Sequence, residues 1–176
     1  MIEGENINLR LVREDEISPF VNAVNKFSDI GDYWPEWFAI EQQERERFKK
    51  NNFWEQDMGK LHVVDKDDNL IGAIMFFKSF LFMEGYEIAY RIINPENRGK
   101  GYMSEALQLF VSYLFKVRPI NRFYLRIFPD NKPSRRIAEK CGFIHEGTLR
   151  QAMFHEGNYI DCVIYGIIRE DWEKKR

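Results

Sequence analysis

Ile93-Asn94-Pro95-Glu96-Asn97-Arg98-Gly99-Lys100-Gly101-Tyr102-Met103-Ser104-Glu105-Ala106 is the stretch on which the fold of this chain turns. Before it, residues 86–93 have strand composition, and Asn94, preceding Pro95, is pushed toward extended geometry, after which the strand should stop. After it the period changes. Met103, Ala106, Leu107, Phe110, Val111 and Leu114 recur at i, i+3, i+4 and i+7, the stripe of an amphipathic helix. A strand therefore passes through a glycine-bearing loop into a long helix. The first turn of a helix exposes unpaired N–H groups and the positive end of the macrodipole, which bind phosphate if the ligand can approach the backbone. Gly99 and Gly101 remove side chains that would block that approach, and Arg98 and Lys100 add positive charge. The pattern predicts an anion site suited to a phosphorylated cofactor.

Three readings compete for this pattern, two of them known phosphate loops. A Walker A loop needs G-x-x-x-x-G-K followed by Ser or Thr, and neither Gly59-Lys60 nor Gly99-Lys100 satisfies it. A dinucleotide fingerprint needs glycine where Ser104 stands and an acidic residue about 20 positions on. A plain strand–turn–helix connection remains the alternative that a lone G-x-G cannot remove.

Outward from the loop, residues 7–12 alternate as a half-buried strand, and 14–25 form a short amphipathic helix with Pro19 near its start. Residues 27–37 make an irregular aromatic loop whose Tyr33-Trp34-Trp37 cluster either walls an acceptor cleft or joins the core. Residues 41–50 are helix-prone, with Glu44 and Lys49 expected on the solvated face. Residues 61–64 and 71–77 form a hairpin turned by Asp67-Asp68-Asn69. Strand 122–128 leads to a helix over 131–141, capped by Asn131 and stopped at Gly142. Two longer strands, 143–154 and 159–168, join through residues 155–158. With no repeat or linker, residues 1–176 are expected to be one mixed domain.

Composition narrows the function classes. The 26 Lys and Arg nearly balance 28 Asp and Glu, for a net charge of −2, which argues against nucleic-acid binding through a global basic field. The two cysteines, Cys141 and Cys162, make no disulfide framework, and His62, His145 and His155 show no ligand spacing, so no metal is expected. The N-terminus lacks signal-peptide character and the longest apolar run, 70–77, has strand length, which leads us to expect a cytoplasmic protein without membrane attachment.

The run 95–107, Pro-Glu-Asn-Arg-Gly-Lys-Gly-Tyr-Met-Ser-Glu-Ala-Leu, resembles the acetyl-CoA loop of the GCN5-related N-acetyltransferase (GNAT) superfamily. Asn131-Lys132-Pro133-Ser134, Glu139-Lys140-Cys141-Gly142-Phe143, Glu146-Gly147-Thr148-Leu149-Arg150 and Gly157-Asn158-Tyr159-Ile160-Asp161 resemble its RimJ/RimL branch, the ribosomal-protein alanine acetyltransferases, as does the opening Leu9-Arg10-Leu11. The resemblance covers nearly the whole chain in order. It implies an α+β fold: a mixed, mostly antiparallel sheet flanked by helices, whose fourth and fifth strands splay apart. The cofactor implied is acetyl-CoA, with pantetheine paired to the backbone near Ile92 and Ile93 and pyrophosphate on Arg98, Gly99, Lys100, Gly101, Tyr102 and Met103. The family favours Gln or Arg where this chain has Glu96.

Acetyl transfer needs a neutral amine, a stabilised oxyanion and a protonated thiolate leaving group. An α-amine titrates near pH 8 and a lysine side chain about 10.4, so only the first is appreciably neutral at pH 7. Glu87 is the first candidate to take the amine proton, against the alternative of a strand residue facing solvent or orienting a neighbour. By resemblance, Asn131 holds a pantetheine amide and Ser134 donates to the departing sulfur; the alternatives are a helix cap and a local first-turn hydrogen bond. Backbone N–H groups near Ile93 are expected to stabilise the oxyanion. Arg135 and Arg136 either approach the ribose phosphate or lie on a solvated helix face. Glu84 and Glu87, with Glu156 and Asp161, are expected near the acceptor. The acceptor expected is a peptide or protein N-terminal α-amine; the alternatives are a small amine (polyamine, amino sugar or antibiotic) or acetyl-CoA binding without turnover.

Overall fold

The computed structural model describes residues 1–27, 33, 38–78 and 84–174. Elements follow in the order β1 (Ile2–Glu3), β2 (Asn8–Arg10), α1 (Ile17–Val24), α2 (Glu41–Asn51), β3 (Met58–Val64), β4 (Leu70–Phe77), β5 (Tyr86–Ile92), α3 (Tyr102–Val117), β6 (Arg122–Ile127), α4 (Lys132–Lys140), β7 (Ile144–His155), β8 (Asn158–Ile168) and α5 (Arg169–Glu173). The described strands form an eight-stranded sheet in the order β1-β2-β3-β4-β5-β6-β8-β7, antiparallel except where β5 meets β6.

The stripe read from sequence seats α3 on one face of this sheet. Met103, Ala106, Leu107, Phe110, Val111 and Leu114 are all buried, against Leu9, Leu61, Ile74, Phe76, Ile88 and Phe123. The C-terminal α5 locks the far end of α3: Arg169 donates to the carbonyls of Phe115, Arg118 and Ile120, and Trp172 Nε1 donates to Ser112 Oγ at 3.0 Å. Both α5 and β1 lie outside the elements expected from sequence, since five and two residues carry too little periodicity to register. The first strand is also shorter than expected. The first helix opens as a 3-10 turn at Glu14–Glu16 before α1, whose third residue is Pro19, where no backbone donor is required.

On the opposite face, α1 and α2 cover a layer that is partly polar. Val12, Ile17, Val21 and Phe53 form a second apolar cluster. Beside it lies the buried Arg10, whose guanidinium reaches Glu16 Oε1 at 2.6 Å and Asp68 Oδ1 at 2.7 Å. Glu16 Oε2 is also 3.0 Å from Nδ1 of the fully buried His62. Glu44, expected on the solvated face of its helix, instead turns inward. Its carboxylate holds the buried Lys60 at 3.0 Å and Arg47 at 3.2 Å, because a lysine under α2 requires a counter-ion.

Burial pushes the His62 imidazole down, a shift that its contact with Glu16 only partly offsets. Burial alone would raise the Glu16 carboxyl, but hydrogen bonds from Arg10, His62 and the Arg13 amide outweigh it and hold the group well below the usual carboxylate range. Both folded-state values are depressed, so each group contributes stability above its unfolded pKa that is lost as pH falls through its folded one. Stability is therefore expected to decline on acidification first below about pH 6.5 through His62 and again below about pH 4.3 through Glu16. In His62→Gln, urea midpoints measured across pH should lose the first phase and keep the second; an unaltered first phase would place its origin elsewhere.

Candidate active site

The site begins where β5 and β6 part. Pairing of β4 with β5 continues from Phe77↔Glu87 to Gly72↔Ile92, whereas β5 and β6 pair in parallel only at Tyr86↔Phe123 and Glu87↔Tyr124. Beyond that point β6 follows β8 as far as Ile127↔Val163. The result is a wedge with its apex at Glu87, walled on one side by residues 88–92. These are the fourth and fifth strands of the sequence reading, renumbered by the two-residue β1. The expectation of oxyanion donors near Ile93 is narrowed here: the Ile93 amide itself donates to Ile71 O at 2.9 Å. Strand alternation commits amides of that parity to β4, so those of Ile88, Tyr90 and Ile92 face the wedge.

At the mouth of the wedge the loop takes the shape its glycines allow. Pro95–Asn97 form a 3-10 turn that leaves Glu96 exposed, and Arg98 is extended. Gly99 and Gly101 then adopt φ of 75° and 84°, the left-handed region that side chains resist. A Cβ at either position would meet no protein atom within 4 Å; it would point into open space. Gly101 is the N-cap of α3, and Glu105 N, bonded to Gly101 O at 3.1 Å, is the first helical amide with a backbone acceptor. The amides of Tyr102, Met103 and Ser104 thus face outward with the dipole behind them. Arg98 and Lys100 are both exposed beside them, the latter 3.3 Å from Asn97 Oδ1. A groove of about 490 Å³ continues from Lys100, Gly101 and Ser104 to Lys140.

The N-terminus of α4 supplies the next groups. Asn131 caps it, Oδ1 accepting from Ser134 N at 3.1 Å, so the expected cap is present and its Nδ2 is the part that can reach an external carbonyl. Ser134 Oγ lies 2.8 Å from the hydroxyl of Tyr90, on the wedge-lining part of β5. Burial raises the Tyr90 phenol well above its usual range, against the lowering effect of Ser134. Tyr90 was not singled out from sequence. Strand parity assigns it to the α3 face, but only the fold brings α4 beside it.

Glu87 does not face solvent: it is buried on the α1/α2 side of the sheet. Arg126 Nε lies 2.9 Å from Oε1 and 2.8 Å from Oε2, with its N–H directed to Oε1; no described residue hydrogen-bonds to Oε2. The partner Arg126 also went unrecognised, because nothing in sequence links positions 39 apart (126 − 87). On the same face a cavity of about 360 Å³ reaches Ala89, Tyr90 and Arg91, with Phe20, Met75 and Arg47 among its other walls. Burial, with Arg98 nearby, pulls Arg91 down to about 10.

Other expected residues disperse. Arg135 turns to Tyr165 Oη and Pro129 O, both at 3.3 Å, while Arg136 is exposed. Asp161 accepts from Gln151 N at 2.9 Å; Glu156 sits at the β7–β8 turn, and Glu84 is exposed before β5. Tyr33 donates to Asp130 O at 3.1 Å and packs on Phe128, whereas Trp34 and Trp37 lie outside the described residues. Cys162 is buried, and Cys141 Sγ contacts Ser104 O at 3.3 Å. Among the described residues no His, Cys, Asp and Glu cluster is placed to hold a metal, and no helix is long and apolar enough to cross a membrane.

The acetyltransferase (GNAT) domain model matches residues 6–144, and the chain belongs to that family. It is 32% identical over 166 residues to the uncharacterized N-acetyltransferase YnaD of Bacillus subtilis, covering 92% of this chain and 95% of that protein. It is 29% identical to the ribosomal-protein-serine acetyltransferase of Escherichia coli over 169 residues, 94% of each. The spermidine N-acetyltransferase of Vibrio cholerae, solved with CoA and spermine, superposes with a TM-score of 0.82 at 22% identity, covering 97% of this chain and 99% of that one. The protein is an N-acetyltransferase using acetyl-CoA, with the mixed, helix-flanked GNAT sheet.

In Gly101→Val the new side chain fills the space facing the amides and the left-handed backbone is strained by about 1–2 kcal/mol. Calorimetry is expected to show a folded protein that no longer binds acetyl-CoA; unchanged affinity would remove this loop from the cofactor site.

Proposed function

We propose that the chain moves the acetyl group from acetyl-CoA to a peptide or protein N-terminal α-amine, by direct attack in a ternary complex. The observation that carries this reading is the wedge itself: Ser134 stands on one side of the sheet and Glu87, at the apex, on the other. In this reading pantetheine lies along Ile92 and Ile93, held also by Asn131 Nδ2, and the pyrophosphate sits on residues 98–103.

The amine nitrogen attacks the thioester carbon. Its proton passes to Glu87 through a water, since Oε2 keeps a lone pair while Arg126 holds the carboxylate in place. Amides facing the wedge receive the oxyanion, the C–S bond breaks with its electrons on sulfur, and Ser134 donates a hydrogen bond to that sulfur. The equipment is modest, one carboxylate base, which suits an α-amine already about a tenth neutral at pH 7. The Escherichia coli relative, named for a ribosomal protein's serine, supports the same acceptor. Another relative, 26% identical over 158 residues, is a spermidine N(1)-acetyltransferase, so polyamines are the competing acceptor.

Glu87→Gln preserves shape and a hydrogen bond to Arg126, and is expected to lower kcat about 10²-fold or more; a kcat within threefold of the unmodified enzyme would assign proton removal elsewhere. For the acceptor, steady-state rates on short peptides with free and blocked N-termini, beside spermidine and amino sugars, should favour the free peptides. If blocked peptides react equally well while a small amine turns over faster, the acceptor is a small molecule.

A further inference from the structure

A serine hydroxyl beside a departing thiolate has two weaknesses. It is a feeble acid, an alcohol resembling water at a pKa of about 15.7, against about 8.5 for a thiol, so it can donate a hydrogen bond but not surrender its proton. Its O–H also rotates freely and can turn to a better acceptor than sulfur. Nearby acceptors exist on its own helix, where Asn131 Oδ1 already takes the Ser134 amide. A donor aimed at Oγ would remove the ambiguity by occupying one lone pair and fixing where the proton points.

Tyr90 is placed to be that donor. Its hydroxyl lies 2.8 Å from Ser134 Oγ and 3.4 Å from Ser134 O, while its ring is packed against the α3-side core. It projects from the part of β5 that has left β6, so its backbone lines the wedge where the thioester would lie. We infer that Tyr90 is a positioning residue: it donates to Ser134 Oγ and so directs the Ser134 O–H into the wedge toward the leaving sulfur. Both hydroxyls keep their protons throughout. The electron pair of the C–S bond goes to sulfur, the amine proton goes to Glu87, and the thiolate takes its proton from solvent after release. Burial, which raises the Tyr90 phenol, suits a group that donates without ionising. As Ser134 takes on charge by donating to sulfur, the Tyr90 bond tightens with it. The inference rests on Ser134 serving the sulfur as proposed above.

A double-mutant cycle tests it. One hydrogen bond tightened in the transition state predicts that Tyr90→Phe lowers kcat by about fivefold to tenfold, with the acetyl-CoA KM within about twofold. In a Ser134→Ala background the same substitution should change kcat less than about twofold, because its target is gone. Equal losses in both backgrounds overturn the inference, since Tyr90 would then act alone or through packing. A raised KM with unchanged kcat also overturns it, making Tyr90 a wall of the cofactor site. If Ser134→Ala is silent while Tyr90→Phe is slow, the inference fails together with the proposed role of Ser134. Should Tyr90→Phe fold poorly, 3-fluorotyrosine at position 90 keeps the shape and strengthens the donor. It is expected to hold or raise kcat, and a fall overturns the inference.

Discussion

β5 and β6 pair in parallel over two residue pairs and then separate, and every part of the site is placed by that separation. Beyond that point each keeps its other partner: β4 holds β5 through Ile92, and β8 holds β6 through Ile127. A β-strand presents hydrogen-bonding groups on both edges, and those of residues 88–92 that face away from β4 need a partner. In the proposed function, the extended, amide-bearing pantetheine chain is the partner that meets them as a strand would. The gap is therefore a strand-shaped vacancy in an otherwise continuous sheet.

The loop after β5 gives the mouth of the vacancy an anion-binding geometry through its backbone more than through its side chains. Two left-handed glycines turn the chain so that three helical amides face outward, and no Cβ stands before them. The exposed Arg98 and Lys100 add charge that solvent and salt screen, while the amides are fixed. Glu96 lies on the preceding turn, exposed, outside the three amides at the start of α3.

The two faces of the sheet do different work. The α3 face is apolar, a rigid platform for the helix that follows the glycine loop. The α1/α2 face buries Arg10, His62, Lys60, Arg91 and Glu87, several of them ion-paired, close to a cavity that reaches β5. Buried ion pairs add little net stability but fix geometry, since removing one partner leaves a charge stranded. A polar layer on the α1/α2 face and an apolar layer on the α3 face thus give the two sides of the wedge different chemistry.

By itself the sequence determined the elements with strong periodicity and specific turn chemistry: α3 from its apolar stripe, the glycine loop, the Asn131 cap, and the hairpins β3–β4 and β7–β8. These depend on residues within a few positions of one another, where propensity and pattern act directly. The ordered motifs likewise carried the family and its cofactor. Only the tertiary structure decided which partners distant residues find. It set Arg126 against Glu87, Lys60 against Glu44 and Tyr90 against Ser134, and it committed the Ile93 amide to Ile71. Such pairings join strands and helices across 16 to 44 positions, and a single charge, hydroxyl or amide gives no local sign of which neighbour the sheet register will bring to it.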